Sequence, residues 1–268
     1  MRLLVINLER SLERRKWITD SFAAQTLVPE FVPAIDANEM KPVEIDAWNE
    51  SSDGPPMMAA EIAVFKSHRK CWEAAASGDN DYVCVFEDDV HLSSDAHLFL
   101  KDDSWIPDGA DIIKIETFRN SVLCSRPPLP PVHGHQLLRL HTLHWGAAGY
   151  ILSKSCAARL LELSKTRLYA ADEFLFSPTF SIFRGLDLYQ VSPALCIQDM
   201  QLEEINRAGN LQSVKGVRDD HHLMQQPQAP VRGWKKARRE IERPFRKLAS
   251  SIDRKVKGKF STVIDFEA

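Results

Sequence analysis

The run Tyr82-Val83-Cys84-Val85-Phe86-Glu87-Asp88-Asp89 constrains this chain more than any other stretch. Its apolar half has the length and continuity of a strand buried on both faces, as in a parallel sheet. Three carboxylates then follow without a break. Adjacent like charges repel, and a carboxylate withdrawn from water needs a cation or hydrogen-bond donors to stay ionised. Ligands of open α/β sheets bind beyond the carboxyl ends of strands. Hard divalent ions prefer carboxylate oxygens. Position and chemistry together point to a Mg²⁺ or Mn²⁺ site, with a solvated acidic turn as the plainer alternative.

The neighbouring segments read as an α/β chain. Leu3 to Leu8 is a buried strand ending near Asn7 and Arg10. Ser11 is placed to cap a helix that carries Arg14, Arg15 and Lys16 in its early turns. Asn and Arg at this point of an α/β unit suit a base or a phosphate, although a solvated helix face explains them equally. Phe31 to Asp36 is a second, shorter strand whose Asp36 suits a ribose hydroxyl or a turn. Residues 38–57 are polar and rich in Pro and Gly, so a loop over a site is expected. Helical spacing of Ile62, Phe65, Trp72 and Ala75 predicts a helix from about Ala59 that Gly78 ends, with Ser67-His68 in its middle.

Beyond the acidic run, Ser93/Ser94 start a short helix and Asp111 to Glu116 is a strand. Ser125 to Gly134 is a proline-rich loop. Small residues in Trp145 to Leu152 permit close approach of a ligand or a neighbouring strand. Ser153 caps a helix through Leu163. Asp172 and Glu173 form a second acidic pair at a helix start, where the helix dipole alone would favour them. Leu188 to Gln198 holds two strand-like pieces joined at Pro193. The five cysteines are dispersed without a CxxC pair, which fits buried, reduced thiols rather than a zinc site.

Charge divides the chain in two. Val231 to Lys259 carries twelve Lys/Arg against three acids, a net +9 that leaves the remainder at −12. Trp234, Ile241, Phe245, Leu248 and Ile252 recur among those cations at helical spacing, interrupted at Pro244. This is the pattern of a basic amphipathic helix on an anionic lipid surface, favoured over a nucleic-acid arm or a partner-binding helix by the interleaved aromatics and the acidic body. The expected organisation is a domain over 1–222 and a linker with a basic helical tail over 223–268. His221 and His222 at the junction are candidates for an extra metal or phosphate contact, with a solvated linker the plainer reading. The amino-terminal apolar run is too short for a signal peptide, and none reaches membrane-spanning length.

Taken in order, several short motifs resemble glycosyltransferase family 25, the lipooligosaccharide galactosyl/glucosyltransferases. They are Val5-Ile6-Asn7-Leu8 with Arg10 and Arg14-Arg15, Ala34-Ile35-Asp36, Glu61-Ile62-Ala63 with Ser67-His68 and Trp72, and Val85-Phe86-Glu87-Asp88-Asp89. Gly146 with Tyr150 to Ser153, Asp172, and Pro193-Ala194-Leu195 with Gln198 complete the series over residues 2 to 200. The chain departs from the family pattern at Ala60 and Ala63, where Gly is common, at Val64, often Cys, and at Lys66.

The resemblance implies an α/β, GT-A-like (Rossmann-like) nucleotide-sugar-binding fold and inverting transfer of a hexose, galactose before glucose, from a UDP-sugar. Glu87 and Asp89 are then the outer pair of an Asp-x-Asp-like motif, holding Mn²⁺ or Mg²⁺ chiefly through Asp89. Asn7, Arg10, Arg14, Asp36, Ser67, His68, Glu87 and Asp88 are the implied nucleotide-sugar contacts. Asp172 is the candidate base, with Glu173 second. The implied acceptor is a lipid-linked saccharide, and nucleic acid is not an expected partner. The implied location is cytoplasmic, peripheral on the inner face of the membrane. A metal-dependent phosphoesterase using the same acids and a non-catalytic membrane adaptor are the rival expectations.

Overall fold

Strand β1 (Arg2–Asn7) and strand β3 (Tyr82–Glu87) are apolar without alternation because both of their faces are covered. Leu4, Ile6, Val83 and Val85 pack on one side with Ile62, Phe65 and Trp72 of helix α3 (Ala59–Ser77). Leu3, Val5, Cys84 and Phe86 pack on the other with Ile18 and Phe22 of helix α1 (Leu12–Ala24). The two-residue side-chain period thus feeds two separate cores from one strand. The computed structural model describes residues 1–52, 54–127, 129–177, 185–202 and 258–267.

β1 lies between β2 (Glu30–Pro33) and β3, parallel to both. β3 then pairs antiparallel with β9 (Gly149–Ser153), and β9 with β5 (Ile112–Lys114). The sheet continues through β10 (Leu188–Ser192), β8 (Gln136–Leu140) and β7 (Ser121–Ser125). A smaller sheet of β4 (Val90–Leu92), β11 (Cys196–Gln198) and β6 (Glu116–Thr117) stands at the carboxyl end of β3. The architecture is a Rossmann-like α/β fold with a large mixed central sheet. All five cysteines are buried and free.

Several segments differ from their expectation. The stretch 38–57 contains helix α2 (Pro42–Glu50), started by Pro42 and by Glu44, whose carboxylate accepts from the Lys41 amide at 2.9 Å. The second strand stops at Pro33, and Asp36 caps a short 3₁₀ turn by accepting from the Asn38 amide. Ser11 occupies the cap position of α1 without a side-chain cap bond. Residues 111–116 divide between two sheets at Ile115. Helix α4 (His97–Leu100) begins a turn after Ser93/Ser94. Helix α5 (Lys154–Leu163), capped by the Ser153 hydroxyl at the Cys156 amide, and helix α6 (Ala171–Phe176) stand where expected.

The carboxyl-terminal residues depart most. Lys259–Val263 forms β12, antiparallel to β7, instead of extending the basic tail. Ile264 is fully buried, and its carbonyl accepts from Thr117 Oγ1 at 2.6 Å. An apolar residue that reaches the core outweighs the local run of cations. The linker and the basic helix expected between Pro227 and Lys257, and His221/His222, lie outside the described residues.

Gly149 marks where β9 must pass under β11. A Cβ there would sit 2.2 Å from Cys196 Sγ, a distance that forces backbone movement. Gly149→Ala is expected to destabilise the fold by about 1–3 kcal/mol through overpacking. Adding Cys196→Ala should restore part of the loss. Thermal unfolding of both variants checks this, and a Gly149→Ala protein as stable as the parent would refute it.

Candidate active site

The parallel register of β1 and β3 sets Ile6 beside Glu87, so the residues that follow each strand emerge together. A cavity of about 710 Å³ opens there. Arg10, Arg14, Asp36, Ser67, His68, Glu87, Asp88, Asp89 and Asp172 all line it, brought from five separate segments. Glu173 does not; its amide donates to Asp172 Oδ1 at 2.8 Å from behind.

The acids of the triplet have different environments. Asp88 is clasped: Asn7 Nδ2 donates to its Oδ2 at 2.7 Å and Arg14 Nη1 to its Oδ1 at 2.7 Å. Asn7 and Arg14, expected as ligand contacts, therefore neutralise and hold the acidic turn. Glu87 and Asp89 form the outer pair. The Gln198 amide donates to both, at 3.2 Å to Glu87 Oε2 and 3.3 Å to Asp89 Oδ1. Burial, reinforced for Glu87 by Asp88 and Asp172, raises that carboxyl to about 7. Burial and then Glu87 raise Asp89 to about 7 as well. Gln198 belongs to a matching motif, but its role at these acids becomes visible only in three dimensions.

Two groups named from sequence serve the scaffold. Ser67 Oγ donates to the Ala63 carbonyl at 2.7 Å and accepts from the Ile35 amide at 2.9 Å, which pins the loop carrying Asp36 to α3. His68 is wholly buried, and burial lowers it to about 4, so it is neutral. Tyr150 accepts from Trp72 Nε1 at 2.9 Å and meets His68 Nδ1 at 3.0 Å. With the tyrosyl proton on that contact, His68 Nε2–H faces Glu87 Oε1 at 3.3 Å. Arg10 and Asp36 pair at the opposite rim through two bonds of 2.5 and 3.1 Å. That arginine bond, with the Asn38 amide, lowers the Asp36 carboxyl.

A buried ion pair underlies the second wall. Lys114 and Glu116 are fully buried and 3.0 Å apart. Lys114 Nζ also donates to the Gly146 carbonyl at 2.5 Å, and Glu116 Oε2 accepts from the Ala148 amide at 2.9 Å. Gly146 has φ +84, and a Cβ there would meet Glu116 Oε1 at 2.4 Å. Its amide donates to Asp172 Oδ2 at 3.2 Å. The pair thus sets the segment that aims Asp172 into the cavity. In the sequence the signal for this pair is two opposite charges, Lys114 and Glu116, set two residues apart in an otherwise apolar run.

The donor set suits a hard divalent cation. Two carboxylate oxygens sit on one amide, both groups raised toward neutrality by burial and then by neighbouring carboxylates, a cost that a cation removes. Among the described residues no three His, Cys, Asp or Glu side chains form a ready metal cage. A cation here would complete its shell with phosphate and water oxygens, as Mg²⁺ commonly does.

Residues 1–175 match the model of glycosyltransferase family 25, described as LPS biosynthesis protein. The chain is 32% identical over 207 residues to the lipooligosaccharide biosynthesis protein lic2B of Haemophilus influenzae, spanning 74% of this chain and 76% of that protein. It is 32% identical over 206 residues to the lacto-N-neotetraose biosynthesis glycosyltransferase LgtB of Neisseria meningitidis serogroup B, spanning 73% and 74%. Among solved structures, a glycosyltransferase involved in glycosylating the major capsid of PBCV-1 superposes with a TM-score of 0.38 at 8% identity, covering 83% of this chain and 98% of that one.

Because Glu87 and Asp89 move from ordinary values of 4.5 and 3.8 to about 7, the folded chain holds protons that the unfolded chain releases. Their contribution is therefore full in acid and is lost as pH rises toward and through 7. In chelator, the melting temperature should fall across that interval, and Asp89→Asn should flatten the decline. A parent and a variant with the same slope would contradict this assignment.

Proposed function

The chain belongs to glycosyltransferase family 25, and from that premise we propose that it is an inverting hexosyltransferase using a UDP-sugar. As a family member it is a glycosyltransferase of lipopolysaccharide or lipooligosaccharide synthesis. The reading is carried by one observation: the Glu87/Asp89 pair and Asp172 line one cavity beyond the ends of β1 and β3. The proposed fold type is GT-A.

Arg10, Asp36 and Asn38 line the rim assigned to the uridine. The residues that would hold Mn²⁺ or Mg²⁺ are Asp89 and Glu87, and the ion when bound would neutralise the donor diphosphate. Asp172 is the proposed base, oriented by the Gly146 and Glu173 amides. As an acceptor hydroxyl oxygen bonds to the anomeric carbon, its proton passes to Asp172, and the bond to UDP breaks with its electron pair leaving on the diphosphate. Attack opposite the leaving group inverts the anomeric centre. Galactose is the favoured sugar and glucose the next. One hydroxyl contact separates them. The acceptor is a lipid-linked saccharide.

Release of UDP from UDP-galactose and UDP-glucose, with Mn²⁺ and then with EDTA, tests the class. Metal-dependent release from one donor is expected. Asp89→Asn should abolish it while the protein stays folded, and Asp172→Asn should lower kcat by about 10²–10⁴-fold with little change in donor KM. A fully active Asp89→Asn enzyme sinks the metal role.

The +9 segment between Val231 and Lys259 supports peripheral attachment to the inner face of an anionic membrane. Flotation with anionic vesicles should recover the full chain, whereas a variant with its segment cations changed to glutamine should stay in the load. Equal behaviour of the two would reject the attachment.

A further inference from the structure

Trp145 is 38% exposed, yet the residues around it are locked in the interior. His144 before it is fully buried: its Nε2 accepts from the Phe118 amide at 3.2 Å and its Nδ1 meets Gln190 Oε1 at 2.7 Å. Gly146 after it is bonded through its carbonyl to Lys114 and through its amide to Asp172. Ala147 and Ala148 are buried. An exposed indole on a surface loop needs no explanation, but one presented from a segment anchored at both sides does.

Trp145 lines the same cavity as the acids. Asp172 lines it as well, and the amide of Gly146, the residue after Trp145, is 3.2 Å from Asp172 Oδ2. Phe118 and Met200 line this cavity too. The Phe118 amide donates to the ring of His144, the residue before Trp145, and Met200 follows two residues after the Gln198 that spans Glu87 and Asp89. The uridine rim of Arg10, Asp36 and Asn38 belongs instead to the turns that follow β1 and β2.

We propose that Trp145, which shares this cavity lining with Phe118 and Met200, is the acceptor subsite: a platform on which a hexopyranoside stacks through its C–H face. A β-linked gluco- or galactopyranoside carries several C–H bonds on one ring face and hydroxyls at its edge. Stacking that face on the indole covers apolar surface and leaves the edge hydroxyls free to reach Asp172. Trp145 is then a specificity and binding residue, selecting for a flat apolar sugar face, while Asp172 takes the proton. The inference rests on the transferase reading only in calling the bound sugar the acceptor.

Saccharide binding is measured first, by saturation-transfer NMR on the full chain with methyl β-glucopyranoside, methyl β-galactopyranoside and methyl β-lactoside. At least one should bind the parent. Trp145→Ala should weaken it by about tenfold or more, the loss expected for one stacked face, and Trp145→Phe should keep most of the affinity. The same sugars are then used as acceptors with UDP-galactose and UDP-glucose. Trp145→Ala should raise acceptor KM while donor KM stays within about twofold, a split that general loosening of the site would not give.

A parent that binds none of the three sugars overturns the subsite. So does a Trp145→Ala protein that binds and turns over acceptor normally, or one whose donor KM rises in step. A parent that binds sugar through Trp145 but releases no UDP leaves the subsite standing and removes the transferase reading instead.

Discussion

The clasp on Asp88 is the interaction from which the rest of the site follows. Three consecutive carboxylates cannot be buried at a strand end unless some of their charge is offset. Arg14 offsets one, and Asn7 supplies a donor from the buried end of the neighbouring strand. Both come from the first strand–helix unit, so the parallel pairing of β1 and β3 and the acidic turn depend on each other. With Asp88 satisfied, Glu87 and Asp89 are left facing the cavity, raised toward neutrality and joined by one glutamine. The scaffold uses the middle acid itself and leaves the outer two in the cavity lining.

A second clasp, built on the opposite principle, supports the other wall. Lys114 and Glu116 form an ion pair sealed from solvent, where desolvation cancels much of its attraction. Its value lies in position. Each charge binds the backbone of the 146–148 segment, and that segment presents Trp145 on one side and a donor to Asp172 on the other. A buried pair tolerates little displacement, because moving either partner would strand a charge in the interior. Chemistry at this cavity is thus held between two charge clusters, one at β1/β3 and one at β5/β6.

Much of the scaffold was legible from residue order. Unbroken apolar runs gave β1 and β3, helical spacing gave α3, and Ser153 gave the start of α5, because each is a local pattern of burial or capping. The short strands β7 and β8 escaped, since a few residues of mixed polarity gain strand geometry only from their partners. Helix α2 was hidden inside a segment rich in turn formers, although Pro42 and Glu44 carry its start signal. Strand β12 could not be read from a basic stretch, because its stability comes from β7 and from the burial of Ile264.

At the site the division follows the same line. By itself the sequence determined that a carboxylate cluster ends a buried strand, that a second acidic pair begins a helix, and that Asn7, Arg10 and Arg14 follow the first strand. These are facts of spacing along the chain. Tertiary structure alone decided what each group does: Asp88 clasped and Glu87 and Asp89 left as a pair, Ser67 and His68 turned to the scaffold, Gln198 spanning two acids, and Trp145 brought into the cavity lining that includes Asp172. Asn7 and Asp88 are 81 positions apart and Gln198 and Asp89 are 109 apart. No periodicity reaches across such distances. The sheet register brings these groups together, and burial then sets the charge each can hold.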